Sequence, residues 1–477
     1  MILNYTKYYE TYHNAKGEFV DHWQKGLSVY PFTLNPSTSG FDRKCGLLGI
    51  TGEFMRCWEG VDSTTIRDFK SDVAEPVSKY LSVEKLMPKP QVDEFLDVLR
   101  DILFVNGTLN ITNTSLLKNL PLVPQDDNIT KKEAAKYEDG EKKIARLLYS
   151  ILNQDHVVPA AKQAPNLLSN ILNEALSGGF ANTTSSGSED VPYFVPKFIE
   201  ETFRENVQWL CKQEEAVVVK NLPLLLYFYI CYIVTQALFF CNTRRKEPID
   251  KPELLYFILA HEKTSQKSEA YVKGWNQKLP KVYTDKMVAR KIALDIVNTA
   301  LGGCIGYYHE VLKALEDTPF EDNKDVCERI LNDFQEQKRI TFERRKSESV
   351  MPEIVDTEVN SYEQFIEKLE LLCITYQSQS YCSRLRKKVS DLLSIRFLQV
   401  RRGLHILTLD NEMLIFLIAL FTQGKKTKLE DMYEVFHQYG IFFNLNTRTA
   451  IEELLLKLNL LDRKSDSGEA QYVTVVL

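Results

Sequence analysis

Residues 410–477 read DNEMLIFLIALFTQGKKTKLEDMYEVFHQYGIFFNLNTRTAIEELLLKLNLLDRKSDSGEAQYVTVVL. The order is three helices and then a short β-hairpin. Asp410 is a good N-cap, and Met413, Leu414, Leu417, Ile418 and Phe421 follow at helical spacing until Gly424 stops the run. Thr427 with Glu430 fits a capping box, which opens a second helix with Leu429, Met432, Tyr433 and Phe436 on one face. Gly440 ends it, and Asn446 is placed to cap a third helix that buries Ile451, Leu454, Leu455 and Leu458. Leu460 to Lys464 and Gln471 to Leu477 read as two strands. Lys464, Asp466, Ser467 and Gly468 form the wing turn between them, because glycine tolerates positive φ. This is the order of a winged helix. The change of pattern at residue 410 predicts a separable module whose deletion leaves a folded body.

A winged helix raises the question of DNA. From Asn411 to Leu477 there are seven Lys/Arg and nine Asp/Glu, a balance of −2. The third helix offers Arg448 and Lys457 but also Glu452 and Glu453. A DNA reader gains most of its affinity from neutralised phosphates and is normally basic on the presented helix. The charges favour docking on protein over reading bases.

The whole chain has 477 residues, 44% hydrophobic and 26% charged, with formal net charge −6. That length suits two to four domains, and the charge excludes a protein that binds nucleic acid over its whole surface. The nine cysteines are scattered and contain no Cys-x-x-Cys, which fits a reducing cytoplasm. No histidine or cysteine spacing suggests a structural zinc, and no cofactor is expected. The first residues lack a basic segment followed by an apolar one, so no signal peptide is expected.

Leu222 to Cys241, LPLLLYFYICYIVTQALFFC, is about the length that spans a bilayer. Tyr227, Tyr229, Thr235 and Gln236 interrupt it with polar groups. A buried central helix, with Pro223 in its first turn, is therefore expected rather than a membrane span.

Elsewhere the chain reads as mainly α. Residues 1–90 look irregular and rich in turns, with a short strand possible from Cys45 to Thr51. Residues 91–177 are helical: Val92, Phe95, Leu96, Leu99 and Ile102 form one stripe, and Ile144, Leu147, Leu148 and Ile151 another. Residues 178–190 have the composition of a mobile loop. Residues 191–409 read as a helical body, with helices expected near 196–213, 222–241, 252–263, 285–300, 303–316, 322–345, 361–376 and 380–400.

No catalytic motif stands out. Gly424-Lys425-Lys426-Thr427 superficially resembles a phosphate-binding loop, but it lacks the upstream glycine and a preceding strand. There is no Gly-x-Ser-x-Gly elbow, and metal-binding carboxylate trios have no specificity among 65 acids. The chain alone is expected to hydrolyse neither ATP nor DNA. The charge anomaly lies between residues 384 and 402, where Arg384, Arg386, Lys387, Lys388, Arg396, Arg401 and Arg402 face one acid, Asp391. In an acidic protein this segment is the candidate phosphate-gripping surface. A solvated helix face balanced by acids elsewhere is the alternative.

The string Lys464-Ser465-Asp466-Ser467-Gly468-Glu469-Ala470-Gln471-Tyr472-Val473, after GIFFNLNTRTAIEELLLKLNLLDR, resembles the C-terminus of the DNA phosphorothioation-dependent restriction protein DptG (DndG) family. Chain length and the aromatic helix around Tyr227-Phe228-Tyr229 are similar too; residues 1–90 are not matched. The resemblance implies a non-enzymatic subunit of a bacterial anti-phage restriction complex, acting with DptF-like and DptH (HerA-like) ATPase subunits on duplex DNA, with no membrane. The alternatives are a stand-alone winged-helix regulator and a cryptic nuclease.

Overall fold

A computed structural model describes residues 1–19, 48–61, 66, 68–105, 108–111, 113–122, 131–153, 167–177, 194–263, 267–276, 281–344, 352–376, 379–463, 471–475 and 477. The fold is mainly α, as the sequence predicts. The first third holds α1 (Tyr5–Tyr12), α2 (Leu48–Glu59), α3 (Glu75–Val83), α4 (Lys89–Leu103), α5 (Lys131–Asn153) and α6 (Leu167–Ser177). The region before residue 91 is thus more helical than expected, and Leu48–Thr51 opens a helix rather than forming a strand. The expected loop at 178–190 lies outside the described residues.

The middle holds α7 (Lys197–Cys211), α8 (Glu215–Cys241), α9 (Lys281–Leu301), α10 (Tyr308–Glu316), α11 (Phe320–Glu343), α12 (Tyr362–Tyr376) and α13 (Gln379–Leu393). The last part holds α14 (Asn411–Thr422), α15 (Leu429–Gln438) and α16 (Leu445–Lys457). Among the described residues there are also ten short strands: β1 (Phe104–Val105), β2 (Thr108–Leu109), β3 (Leu255–Tyr256), β4 (Ile258–Leu259), β5 (Leu398–Arg401), β6 (Leu404–Leu409), β7 (Thr427–Lys428), β8 (Ile441–Phe442), β9 (Leu461–Arg463) and β10 (Gln471–Val473).

Helix α8 is the axis. It is apolar on every side, so it is stable only where other elements cover every side. Nearly all of Leu222–Cys241 is buried. The polar groups that interrupt the run are each satisfied by protein. Tyr229 Oη accepts from Asn206 Nδ2 at 2.7 Å, and Thr235 Oγ1 donates to Cys231 O at 2.8 Å. Gln236 exchanges two bonds with the Glu253 backbone, at 2.9 and 2.8 Å. Pro223 sits inside the helix rather than in its first turn, because the helix begins at Glu215. It removes one helical hydrogen bond without ending the helix.

Residues 252–263, expected as a helix, are extended instead. β3 pairs in parallel with β8, and β4 in parallel with β6. The segment 394–400, expected to continue α13, turns into β5, which runs antiparallel to β6 through the tight turn Arg402–Gly403. These pairings join the body to the C-terminal part. Tyr439 stacks on Phe421 with centroids 3.7 Å apart and accepts a hydrogen bond from Asn206 Nδ2 at 3.0 Å. One apolar core runs from Leu3 to Val475, so the change of pattern at residue 410 is not a break in packing.

Within residues 410–477 the three helices and two terminal strands come in the expected order, but β7 and β8 are interposed between the helices and several details differ. Asp410 caps α14, its Oδ1 accepting from Met413 N at 2.8 Å. The expected Thr427–Glu430 capping box is absent: Thr427 lies in β7, and its hydroxyl donates to Lys425 O at 2.9 Å. Asn444 rather than Asn446 caps α16, accepting from Thr447 N at 2.9 Å. β10 lies between β7 and β9, antiparallel to both. The wing-turn residues Lys464, Asp466, Ser467 and Gly468 lie outside the described residues.

Candidate functional site

Helix α13 carries the densest part of the basic segment. Its apolar stripe of Cys382, Leu385, Val389, Leu392 and Leu393 is buried, which orients the rest of the helix. Lys387 is exposed; Arg386 and Lys388 are half-buried. Arg384 lies in the same helix, and its side chain is outside the described part.

After α13 the segment changes role. Tyr227 Oη, buried on α8, lies 3.1 Å from both Leu392 O and Leu393 O and accepts from Arg396 N at 2.9 Å. One phenol therefore closes the end of α13 and fixes the start of the next turn. The Arg396 guanidinium is then held by Asp410 at 2.8–3.0 Å and by Glu412 at 2.7 Å. Bidentate pairing of this kind is the strong form of an ion pair. Arg401 donates to Ala260 O and Glu262 O, and at 2.7 Å to Gln399 Oε1. Arg402 is exposed at the hairpin tip.

The seven candidate cations therefore do not form one surface. Arg396 and Arg401 are internal clamps that tie the start of α14 and the turn at 260–262 to the body. Lys387 and Arg402 face solvent.

The helix that a winged fold would present is α16. Leu445, Asn446, Thr449 and Glu453 are exposed along it, with Leu445 at 79%. Arg448, the cation in its first half, folds back. It lies over the Tyr433 ring at 4.5 Å, donates to Phe443 O at 3.3 Å and pairs with Glu430 at 3.3 Å. Burial, with Glu452 and Glu430 adding to it and Arg448 opposing, raises the Tyr433 phenol above its ordinary range. The N-terminal half of the presented face is thus neutral and apolar, with Glu453 beyond it and the exposed Lys457 at the far end. The cations that sequence reasoning passed over as a site are Lys425 and Lys426, exposed on the approach to β7, and Lys428, exposed within it. Their signal was the string Gly-Lys-Lys-Thr-Lys, set aside because it makes no phosphate loop.

Among the described residues no group of three or more His, Cys, Asp or Glu is placed to hold a metal ion. Burial pushes the Cys57 and Cys211 thiols up to about 11 and the Cys304 and Cys327 thiols to about 12. Cys231 and Cys241 are raised further by burial. A thiolate is the nucleophile, and burial disfavours that form at these side chains.

No family model matches the chain, and no curated protein matches it. The site is therefore read from its own geometry.

Proposed function

We propose that the protein is a non-enzymatic adaptor whose C-terminal module docks on a protein partner through α16. The observation that carries this is the folded-back Arg448 beside an exposed Leu445, which leaves the N-terminal half of α16 with no outward cation to offer a phosphate. The strand before α15 pairs with the last strand, an arrangement that supports a winged-helix reading of residues 410–477. The resemblance of residues 464–473 to the DptG family supplies the context: a phosphorothioation-dependent restriction complex in the bacterial cytoplasm. There the partners would be DptF-like and DptH ATPases and the cargo duplex DNA.

The test is co-purification of the full chain with co-expressed DptF-like and DptH subunits. The variant Leu445→Glu, Thr449→Arg is expected to fold normally and lose the partners. Retained partners with loss of duplex binding would favour the stand-alone regulator instead.

A further inference from the structure

We infer that the turn and strand edge formed by Lys425, Lys426 and Lys428 is a sequence-independent binding surface for the duplex DNA backbone. The proposal rests on the DNA-handling half of the function above and assigns it to a different surface from the basic segment and from α16.

Three observations converge. The first is rigidity. α14 ends in two consecutive left-handed residues, Gln423 at φ 52° and Gly424 at φ 69°. Gly424 N donates to Ala419 O at 2.9 Å, and Lys425 N to Thr422 O at 3.0 Å. A Cβ on Gly424 would meet Trp209 and the Val475 carbonyl only at ordinary contact distance, so it is the backbone conformation that calls for glycine there. The lysines therefore leave the body from a fixed turn rather than a loose loop. Ordering them on a polyanion costs little backbone entropy.

The second is charge segregation. Gln423 to Lys428 contains three lysines and no acid. The acids that follow, Glu430 and Asp431, stand in the first turn of α15, where the helix dipole favours them, and Glu430 is paired to Arg448 on the α16 side. The module thus has a helix face whose N-terminal half is without an outward cation and a separate basic strand edge.

The third is placement. β7 is an edge strand, so one side of the Thr427–Lys428 backbone faces away from the sheet. Lys428 stands opposite Tyr472, and Lys426 Nζ lies 5.6 Å from the Tyr472 ring. Lys426 also pairs with Asp462, whose side chain is 61% exposed. That acid competes with any phosphate for the same ammonium group, and this gives the proposal a test of opposite sign.

The experiment is binding of a fluorescein-labelled duplex by the full chain across a salt series. Neutralising Lys425, Lys426 and Lys428 to Gln together should weaken binding of any sequence and flatten the slope of log affinity against log salt by about two to three. Asp462→Asn should tighten binding at low salt by about two- to fivefold, the worth of one exposed pair. Co-purification with the ATPase partners should be unchanged in both variants, so failure here is separable from failure of the α16 reading. An unaltered slope in the lysine variant, or no gain from Asp462→Asn, overturns the proposal. If the lysine variant self-associates with an unaltered slope, the lysines only guard the strand edge against pairing with another sheet, and the proposal falls. Should the lysine variant not fold, Asp462→Asn decides alone.

Discussion

Arg396 and Arg402 are six residues apart and do different work. Arg396 is held between two carboxylates and its own backbone N–H is fixed by Tyr227. Arg402 is exposed on a hairpin tip. Arg396→Gln should therefore lower stability by about 1–3 kcal/mol in denaturant unfolding, since it strips a charge-assisted pair from the α14 cap. Arg402→Gln should leave stability unchanged. The excess of cations in residues 384–402 was legible in the sequence. Which of them are consumed was not, because their partners at 260–262 and 410–412 are set by tertiary pairing. A second residue, Asp333, carries a pH signature. Burial lifts its carboxyl above the ordinary range, against the hydrogen bond from Tyr8 (2.8 Å) and the charge of His13, whose Nε2 lies 3.3 Å away. An acid raised in the native state binds its proton more tightly there than in the unfolded chain. Its contribution to stability is therefore present below the ordinary carboxylate range and is lost as pH rises through the native value. Asp333→Asn should remove that part of the decline, read as a flatter plot of unfolding free energy against pH.

At the scale of elements, the sequence was most readable where an element makes its own case. α8 and α14 announce themselves as apolar runs, and Asp410 as a cap. The extended segment 255–259 does not. Its residues are buried by strands about 150 and 180 positions away, so no local period marks it. The cap of α16 was ambiguous because Asn-Leu-Asn offers two asparagines, and the one two residues earlier won. The capping box at Thr427 was pre-empted by strand pairing. Gly440 shows how tightly these elements are fitted. It sits at φ 74°, and a Cβ there would come within 2.9 Å of Glu253 O. Its carbonyl accepts from Leu255 N at 2.8 Å, at the start of the β3–β8 ladder. Gly440→Ala should cost about 1–3 kcal/mol in unfolding free energy and speed amide exchange at Leu255 and Phe257. Unchanged exchange there would mean the ladder tolerates the shift.

At the scale of the molecule, the C-terminal part is an integral piece of the core. Phe228 and Tyr232 of α8 pack against Tyr439, and Phe228 also against Phe421. Deleting residues 410–477 would expose that face of α8, so the truncated chain should be insoluble or lose its thermal transition, rather than persist as a folded body that merely lacks its partner. A soluble, cooperatively melting truncation would show that the body closes over α8 by itself. The burial of α8 has one more consequence, in time rather than space. The chain is made from its N-terminus, and α14 begins about 170 residues after the end of α8. At about 5–20 residues per second, the Phe228–Tyr232 side of α8 waits roughly nine to thirty-four seconds for its C-terminal cover, while α2, α5 and α7 are made before it and α9 soon after. During that interval the nascent protein leaves one side of a run of membrane-spanning length without its final cover. A chaperone that shields that side until the last helices arrive is predicted to raise the yield of folded chain in coupled translation; an equal yield without it would show that the earlier helices suffice.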